Sequence, residues 1–165
     1  EALGSGCEGK KTSWRDVIVT RVDLSDDVYV RLLALRTGMR HFERWSEQQA
    51  QAAGLTAAQH QLLLAIRGHA NPEGPTIGEI ADYLFLKHHS VVGLIDRAEA
   101  AGLVTRKRDD ADRRVVRLRL TRLGAKSLRL LSELHLEELK RLSERYPVGP
   151  WSGLVAIQPE HGLGV

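Results

Sequence analysis

Between Arg106 and Gly124 the chain reads RKRDDADRRVVRLRLTRLG, eight basic and three acidic residues around a run that alternates apolar and charged side chains. Guanidinium groups are planar forks that pair with phosphate or carboxylate oxygens, so arginines at this density suit contact with a polyanion. Other reactive-looking groups are weaker. His88 and His89 are adjacent and point to different sides of a helix, a poor metal pair. The stretch HLEEL at His135 lacks the second histidine of a zinc-protease helix and reads as a surface or interface histidine. Asp109, Asp110 and Asp112 resemble a cation loop, but interleaved arginines neutralise them. No serine sits on a nucleophile elbow and no glycine-rich phosphate loop occurs, so neither an enzyme nor a cofactor is expected. Cys7 is the single cysteine, which excludes an internal disulfide and a cysteine-based zinc site. Redox sensing through it is conceivable, but without assured cationic neighbours its thiol reads as inert.

The formal net charge is +3, and its location is informative. Residues 76–122 hold ten Lys and Arg against seven Asp and Glu, whereas 1–75 and 123–165 balance at nine against nine and five against five. A basic excess confined to one segment is the footprint of a polyanion binder. Taken alone, it would equally describe a solvated charged face. With 42% hydrophobic residues in 165, one core is expected and a second independent domain is not. The longest apolar stretches, such as Leu62 to Ile66, are too short to cross a bilayer, and no signal-peptide pattern opens the chain. A cytoplasmic protein without a membrane partner is expected, with residues 1–23 read as a flexible extension.

The elements that must position the basic hairpin follow from periodicity. Ser25, Asp26 and Asp27 supply a cap and an acidic first turn, and Val28, Leu32, Leu35, Met39 and Phe42 recur at steps of four and three, so a helix is expected to about Ala53, ending at Gly54. Thr56 caps a second helix that the Asn71-Pro72-Glu73-Gly74-Pro75 cluster closes. Thr76 with Glu79 forms a capping box for TIGEIADYL. A further helix spans roughly His88 to Ala101, with Val91, Leu94, Ile95 and Ala98 on its core face. The opposite face presents His89, Gly93 and Asp96, flanked by Ser90, Val92 and Arg97, a polar surface suited to base edges. Strands are expected at 103–108 and 114–120 around a loop at 109–113, with Val116, Leu118 and Leu120 inward and Arg117 and Arg119 outward. A helix-turn-helix followed by a basic hairpin is a winged helix. Its arginines can reach phosphates and a minor groove, and Asp112 can hold Arg114 or the loop amides.

The run TIGEIADYLFLKHHSVVGLIDRAEAAGLVTRKRDDADRRVVRLRLTRLG closely resembles the DNA-binding core of MarR-type transcriptional regulators. The matching features are IA in the first helix, DR and GLV around the end of the recognition helix, then DRR, LT and G. The resemblance covers about fifty residues. It implies a mainly α fold with a small β-hairpin wing: a winged helix-turn-helix at 55–122 and dimerisation helices at 24–54 and within 123–165. It implies a homodimer that binds a near-palindromic operator in double-stranded DNA, as a repressor or activator, and often releases it to a small molecule. Asp112 and Arg114 fall on the family's wing-tip pair, and Lys87 to Gly93 on the start of its recognition helix. Gly93 departs from the family, where a longer polar or charged side chain is usual. The expected DNA contacts are Lys87, His88, His89, Ser90, Val92, Gly93, Arg97, Arg106, Arg108, Arg113 and Arg114, with Asp112 positioning the wing.

Leu128, Leu131, Leu134, Leu139 and Leu142 form a broad stripe on the helix after Gly124, which should pack with the 25–53 helix across a two-fold axis and end at Pro147 and Pro150. The tail carries Trp151, Leu154, Val155 and Ile157 but shows no period. An effector pocket is expected between the dimer helices and the winged helix, where Arg36, Arg40, His41, Trp45, His60 and Arg67 would suit an aromatic or anionic ligand. Interhelical hydrogen bonding explains the same residues equally well. The alternative function is a winged helix that mediates protein contacts without specific DNA binding.

Overall fold

The computed structural model describes residues 25–110 and 112–145. In chain order these form α1 (Asp26–Ala52), α2 (Ala57–Arg67), α3 (Ile77–Leu84), α4 (His88–Ala100), β1 (Val104–Arg108), β2 (Val116–Leu120) and α5 (Arg122–Arg145). The fold is mainly helical with one two-stranded antiparallel hairpin, a winged helix-turn-helix flanked by two long helices. The expected extension at 1–23, with Cys7, and the tail beyond Arg145 lie outside the described residues.

Local chemistry sets the helix starts. Thr56 and Thr76 each accept from the backbone N–H three residues on, while Gln59 and Glu79 reach back to the threonine N–H, giving two capping boxes. Ser25 sits at the start of α1 with extended backbone, but its side chain makes no capping bond, and the acidic first turn alone complements the helix dipole. Helix α3 ends differently. Leu86 N–H donates to Ala81 O at 3.0 Å and Phe85 N–H to Asp82 O at 3.3 Å, the paired bonds of a Schellman closure. This puts Phe85 in the left-handed region at φ 53° and ψ 38°, where a bulky residue costs about 1 kcal/mol or more and glycine is customary.

The core lies where α2, α3, α4, the hairpin and α5 meet. Leu62, Leu63, Ile80, Val91, Ile95, Val104, Leu118 and Leu131 are fully buried, each contributing roughly 1.5–3 kcal/mol by leaving water. All four expected core residues of α4 are buried. Thr121 ties the hairpin to α5: its N–H donates to Leu103 O at 3.0 Å, and its hydroxyl accepts from Gly124 N–H at 3.0 Å. A Cβ at Gly124 would collide with the Leu103 carbonyl, so only glycine permits this approach.

The leucine stripe of α5 is used differently from the expectation. Leu128, Leu131 and Leu142 are buried within the chain, and α5 packs on both α1 and α2 of the same chain. The contact expected across a two-fold axis is therefore in part internal. What stays exposed is Leu123, Leu130 and Leu134 on α5, with Tyr29, Val30, Leu32, Leu33 and Met39 on α1.

The strands are shorter than expected at 104–108 and 116–120. In register, Val104 pairs with Leu120, Arg106 with Leu118 and Arg108 with Val116. Arg114 and Val115 lie in the connecting loop instead, because Asp109 N–H donates to Val115 O and Val115 N–H to Asp112 O, both at 2.9 Å, closing a compact turn. On its other edge, β2 is bridged to the 75–76 segment through Leu118 N–H to Pro75 O at 2.9 Å.

Candidate nucleic-acid interface

The N-terminal turn of α4 is open to solvent. Lys87 stands at its cap position with extended backbone and no side-chain cap, and Lys87, His88, His89 and Ser90 are all exposed. Unsatisfied amides and the positive end of the helix dipole coincide there with a lysine, an arrangement favourable to anions. Arg97 is exposed one turn beyond Gly93, whereas Val92 and Gly93 are half-buried. The Arg97 guanidinium lies over Gly93: a Cβ there would stand 3.4 Å from its Nη1, an ordinary contact with the movable end of a side chain.

In the hairpin each aspartate fixes a cation. The Asp112 carboxylate accepts from Nε and Nη2 of Arg114, each at 3.1 Å, and from the Arg114 backbone N–H at 3.0 Å, which holds its own pKa below the usual carboxylate value. Arg114 remains 91% exposed, so it is aimed without being consumed. Lys107 Nζ donates to Asp110 at 2.8 Å. Asp109 accepts from the Asp112 N–H at 3.1 Å and from Arg117 Nε.

Three arginines differ from the expectation. Arg106 does not face outward: its guanidinium donates to Asp96 and Glu99 of α4, and its backbone N–H donates to Glu99 at 3.1 Å. Burial works against its charge, but these two carboxylates outweigh that and hold it firmly protonated. Arg117 is 19% exposed and donates to Asp109 and, at 3.0 Å, to Gly74 O, while Arg119 pairs with Glu73. The reason is the 71–76 segment lying along β2, which covers the face that strand alternation alone assigns to solvent. Among the described residues no carboxylate pairs with Lys87, Arg97, Arg108 or Arg113. With Arg114 these are the available cations among the expected DNA contacts. As anchors these acids were not foreseen: the sequence placed Asp96 on the outer face of α4 and Asp109 in a neutralised loop cluster, and did not single out Glu99. For Asp96 and Glu99 the one signal is an acidic pair at i, i+3 on a helix directly before a basic strand.

Of the expected effector residues, Trp45 and His60 come together, but around a histidine. His135 has its ring 5.0 Å from Trp45, 5.5 Å from Phe42 and 4.6 Å from His60. Its Nδ1 is 2.6 Å from Leu131 O and its Nε2 is 2.7 Å from Ser46 Oγ, so a neutral ring donates to the carbonyl and accepts from the serine. His135 is thus an interior residue joining α1 to α5, not a surface one. Burial lowers its pKa, and burial reinforced by His135 lowers that of His60 to about 4. Arg36, Arg40, His41 and Arg67 are exposed. A groove of about 320 Å³ between α2 and α3, lined by Leu64, His69, Glu79, Ile80 and Tyr83 among others, involves none of these six. Among the described residues no group of three His, Cys, Asp or Glu could hold a metal, and no helix is long and apolar enough to cross a membrane.

An α3–turn–α4 unit followed by a hairpin tied to α4 is the architecture of winged helix-turn-helix regulators. A model of the MarR family matches residues 53–115. The similarity to that family lies in the segment from α2 to the loop of the hairpin. It is 27% identical over 115 residues to the transcriptional activatory protein BadR of Rhodopseudomonas palustris, covering 70% of this chain and 64% of that protein. Over 71 residues it is 35% identical to YsmB of Bacillus subtilis, an uncharacterized HTH-type transcriptional regulator, covering 43% of this chain and 49% of that protein. The fold is shared with AbsC, a MarR family transcriptional regulator from Streptomyces coelicolor, at a TM-score of 0.62 and 21% identity over 78% of this chain and 86% of that one. It is shared also with S. aureus MepR in a DNA complex, at 0.59 and 19% over 79% and 89%.

Proposed function

We propose that the chain is a dimeric, sequence-specific DNA-binding transcriptional regulator acting as a repressor, with α4 in the major groove and the hairpin tip reaching the minor groove. The observation that carries this is the exposed N-terminal turn of α4, Lys87 to Ser90, beside a hairpin whose Arg108, Arg113 and Arg114 face solvent. His89 and Ser90 offer hydrogen bonds to base edges, while the exposed cations take phosphates. Residues 55–122 serve as the DNA-binding unit, with 24–54 and 123–165 as the dimer-forming parts. The exposed Tyr29, Val30, Leu32, Leu33 and Met39 of α1 and Leu123, Leu130 and Leu134 of α5 support that assignment, being more apolar surface than a lone protomer leaves in water. A two-fold dimer places two α4 helices about 34–36 Å apart, which calls for a near-palindromic site. In this reading a small aromatic or anionic molecule, bound near Trp45 and His60 with Arg36, Arg40, His41 and Arg67, releases the operator.

The test is selection of bound duplexes from a random pool, followed by titration at several salt concentrations. A near-palindromic consensus, twice the chain mass by light scattering, and affinity falling steeply with salt are expected. An asymmetric site contacted by a monomer, or no salt-dependent retention of DNA, overturns the reading and leaves a protein-contact module.

A further inference from the structure

Phe85 is 95% exposed, the most exposed of the large apolar residues among the described residues, and occupies a left-handed backbone position that favours glycine. Solvation and backbone conformation both count against a phenylalanine there. A strained, solvent-exposed aromatic that the fold does not use points outward to a role at a surface. Its place says which surface. It lies two residues before Lys87 and three before His88, in the turn delivering the open end of α4, with Leu86 also exposed beside it.

We infer that Phe85 is a DNA-contacting residue, its ring packing on deoxyribose or a thymine methyl at the edge of the major groove while Lys87 takes the adjoining phosphate. The inference rests on the proposed function and adds to it an apolar contact outside the recognition helix. A partner protein is the competing occupant. DNA is favoured because Lys87, His88, His89 and Ser90, the exposed neighbours on the α4 side, make a cationic, hydrogen-bonding rim without a carboxylate. The contact carries no charge, so it should add affinity without adding counterion release.

The experiment compares the parent protein with Phe85→Gly, Phe85→Asn and Phe85→Tyr on a duplex selected by the parent from a random pool. Relief of the left-handed strain should raise Tm of the glycine variant by about 2–4 °C. Loss of the ring should weaken its binding about tenfold, with the slope of log affinity against log salt unchanged. Phe85→Asn should bind as weakly as the glycine variant, and Phe85→Tyr should keep the parent's affinity. A glycine variant that melts higher and binds as tightly as the parent overturns the inference. So does an altered oligomeric mass with unaltered DNA affinity, which would assign Phe85 to a protein contact. If the parent itself retains no duplex in a salt-dependent manner, the proposed function falls and this inference with it.

Discussion

The Asp112 carboxylate grips Arg114 through both Nε and Nη2 at 3.1 Å, yet leaves the guanidinium almost wholly in solvent. An exposed arginine ordinarily samples many rotamers, and fixing one before binding removes that entropic cost from association. Arg114→Ala should therefore weaken operator binding about tenfold to a hundredfold at fixed salt, the range of one specific groove contact. Asp112→Ala should give a smaller loss, since it only aims the arginine. Equal affinity of parent and Arg114→Ala in a titration would remove the wing from the interface.

Arg106 tests whether the hairpin must be tied to α4. Its bonds to Asp96 and Glu99 are partly exposed, so Arg106→Met should lower stability by only about 1 kcal/mol. The effect on DNA binding should exceed that expected of a phosphate contact, because the whole wing shifts relative to α4. A phosphate contact would instead reduce the salt slope by about one. Measuring the slope separates the two: an unchanged slope with lower affinity supports positioning, and a reduced slope restores Arg106 to the contact set.

Much of this was legible in the residues because short-range rules govern it. Thr76 with Glu79, the burial of Val91, Leu94, Ile95 and Ala98, and the Asp112–Arg114 pair all follow from spacing of a few residues. What strand alternation misplaced was Arg117 and Arg119, since their partners Gly74 and Glu73 are more than forty residues away in sequence. Arg106 escaped for a similar reason: Asp96 and Glu99 meet it only once α4 and β1 have packed. The same holds for His135, whose interior place depends on α1 and Ser46, 89 residues earlier. Apolar periodicity in α5 held for Leu128, Leu131 and Leu142 but not for Leu134, which stays exposed, and it does not say whether α1 of the same chain or of a second copy covers the stripe.

The buried histidines predict a pH dependence. The His60 pKa falls from the ordinary 6.5 to about 4 in the folded chain, and that of His135 is also lowered. As pH drops below 6.5 the unfolded chain binds protons that the folded one refuses. Stability should thus be fully present above 6.5 and lost progressively toward about 4, at up to roughly 1.4 kcal/mol per pH unit for each such histidine. Denaturant midpoints at pH 7.5 and pH 5 should show the fall, and His60→Gln should flatten it. A parent midpoint that is level between those two values would contradict the packing of His60 on His135.

Gly93 is where the structure alters the question most. Glycine inside α4 costs about 1 kcal/mol relative to alanine, and nothing in the core requires it there. What lies over it is the Arg97 guanidinium, 3.4 Å from where a Cβ would sit. That is ordinary contact distance against the movable end of a side chain, so Gly93→Ala should fold and melt higher than the parent. If the glycine serves to seat Arg97 low on the helix, or to let the α4 backbone approach the bases, the alanine variant should bind the operator less tightly. Arg97→Ala distinguishes these roles. Should Arg97→Ala and Gly93→Ala each weaken binding while the double variant loses no more than Arg97→Ala alone, the glycine acts through the arginine. If the losses instead add, Gly93 faces the DNA in its own right. A Gly93→Ala protein that melts higher and binds as tightly as the parent would show that neither role operates, leaving Lys87, His88, His89, Ser90 and Val92 with the hairpin tip to account for specificity.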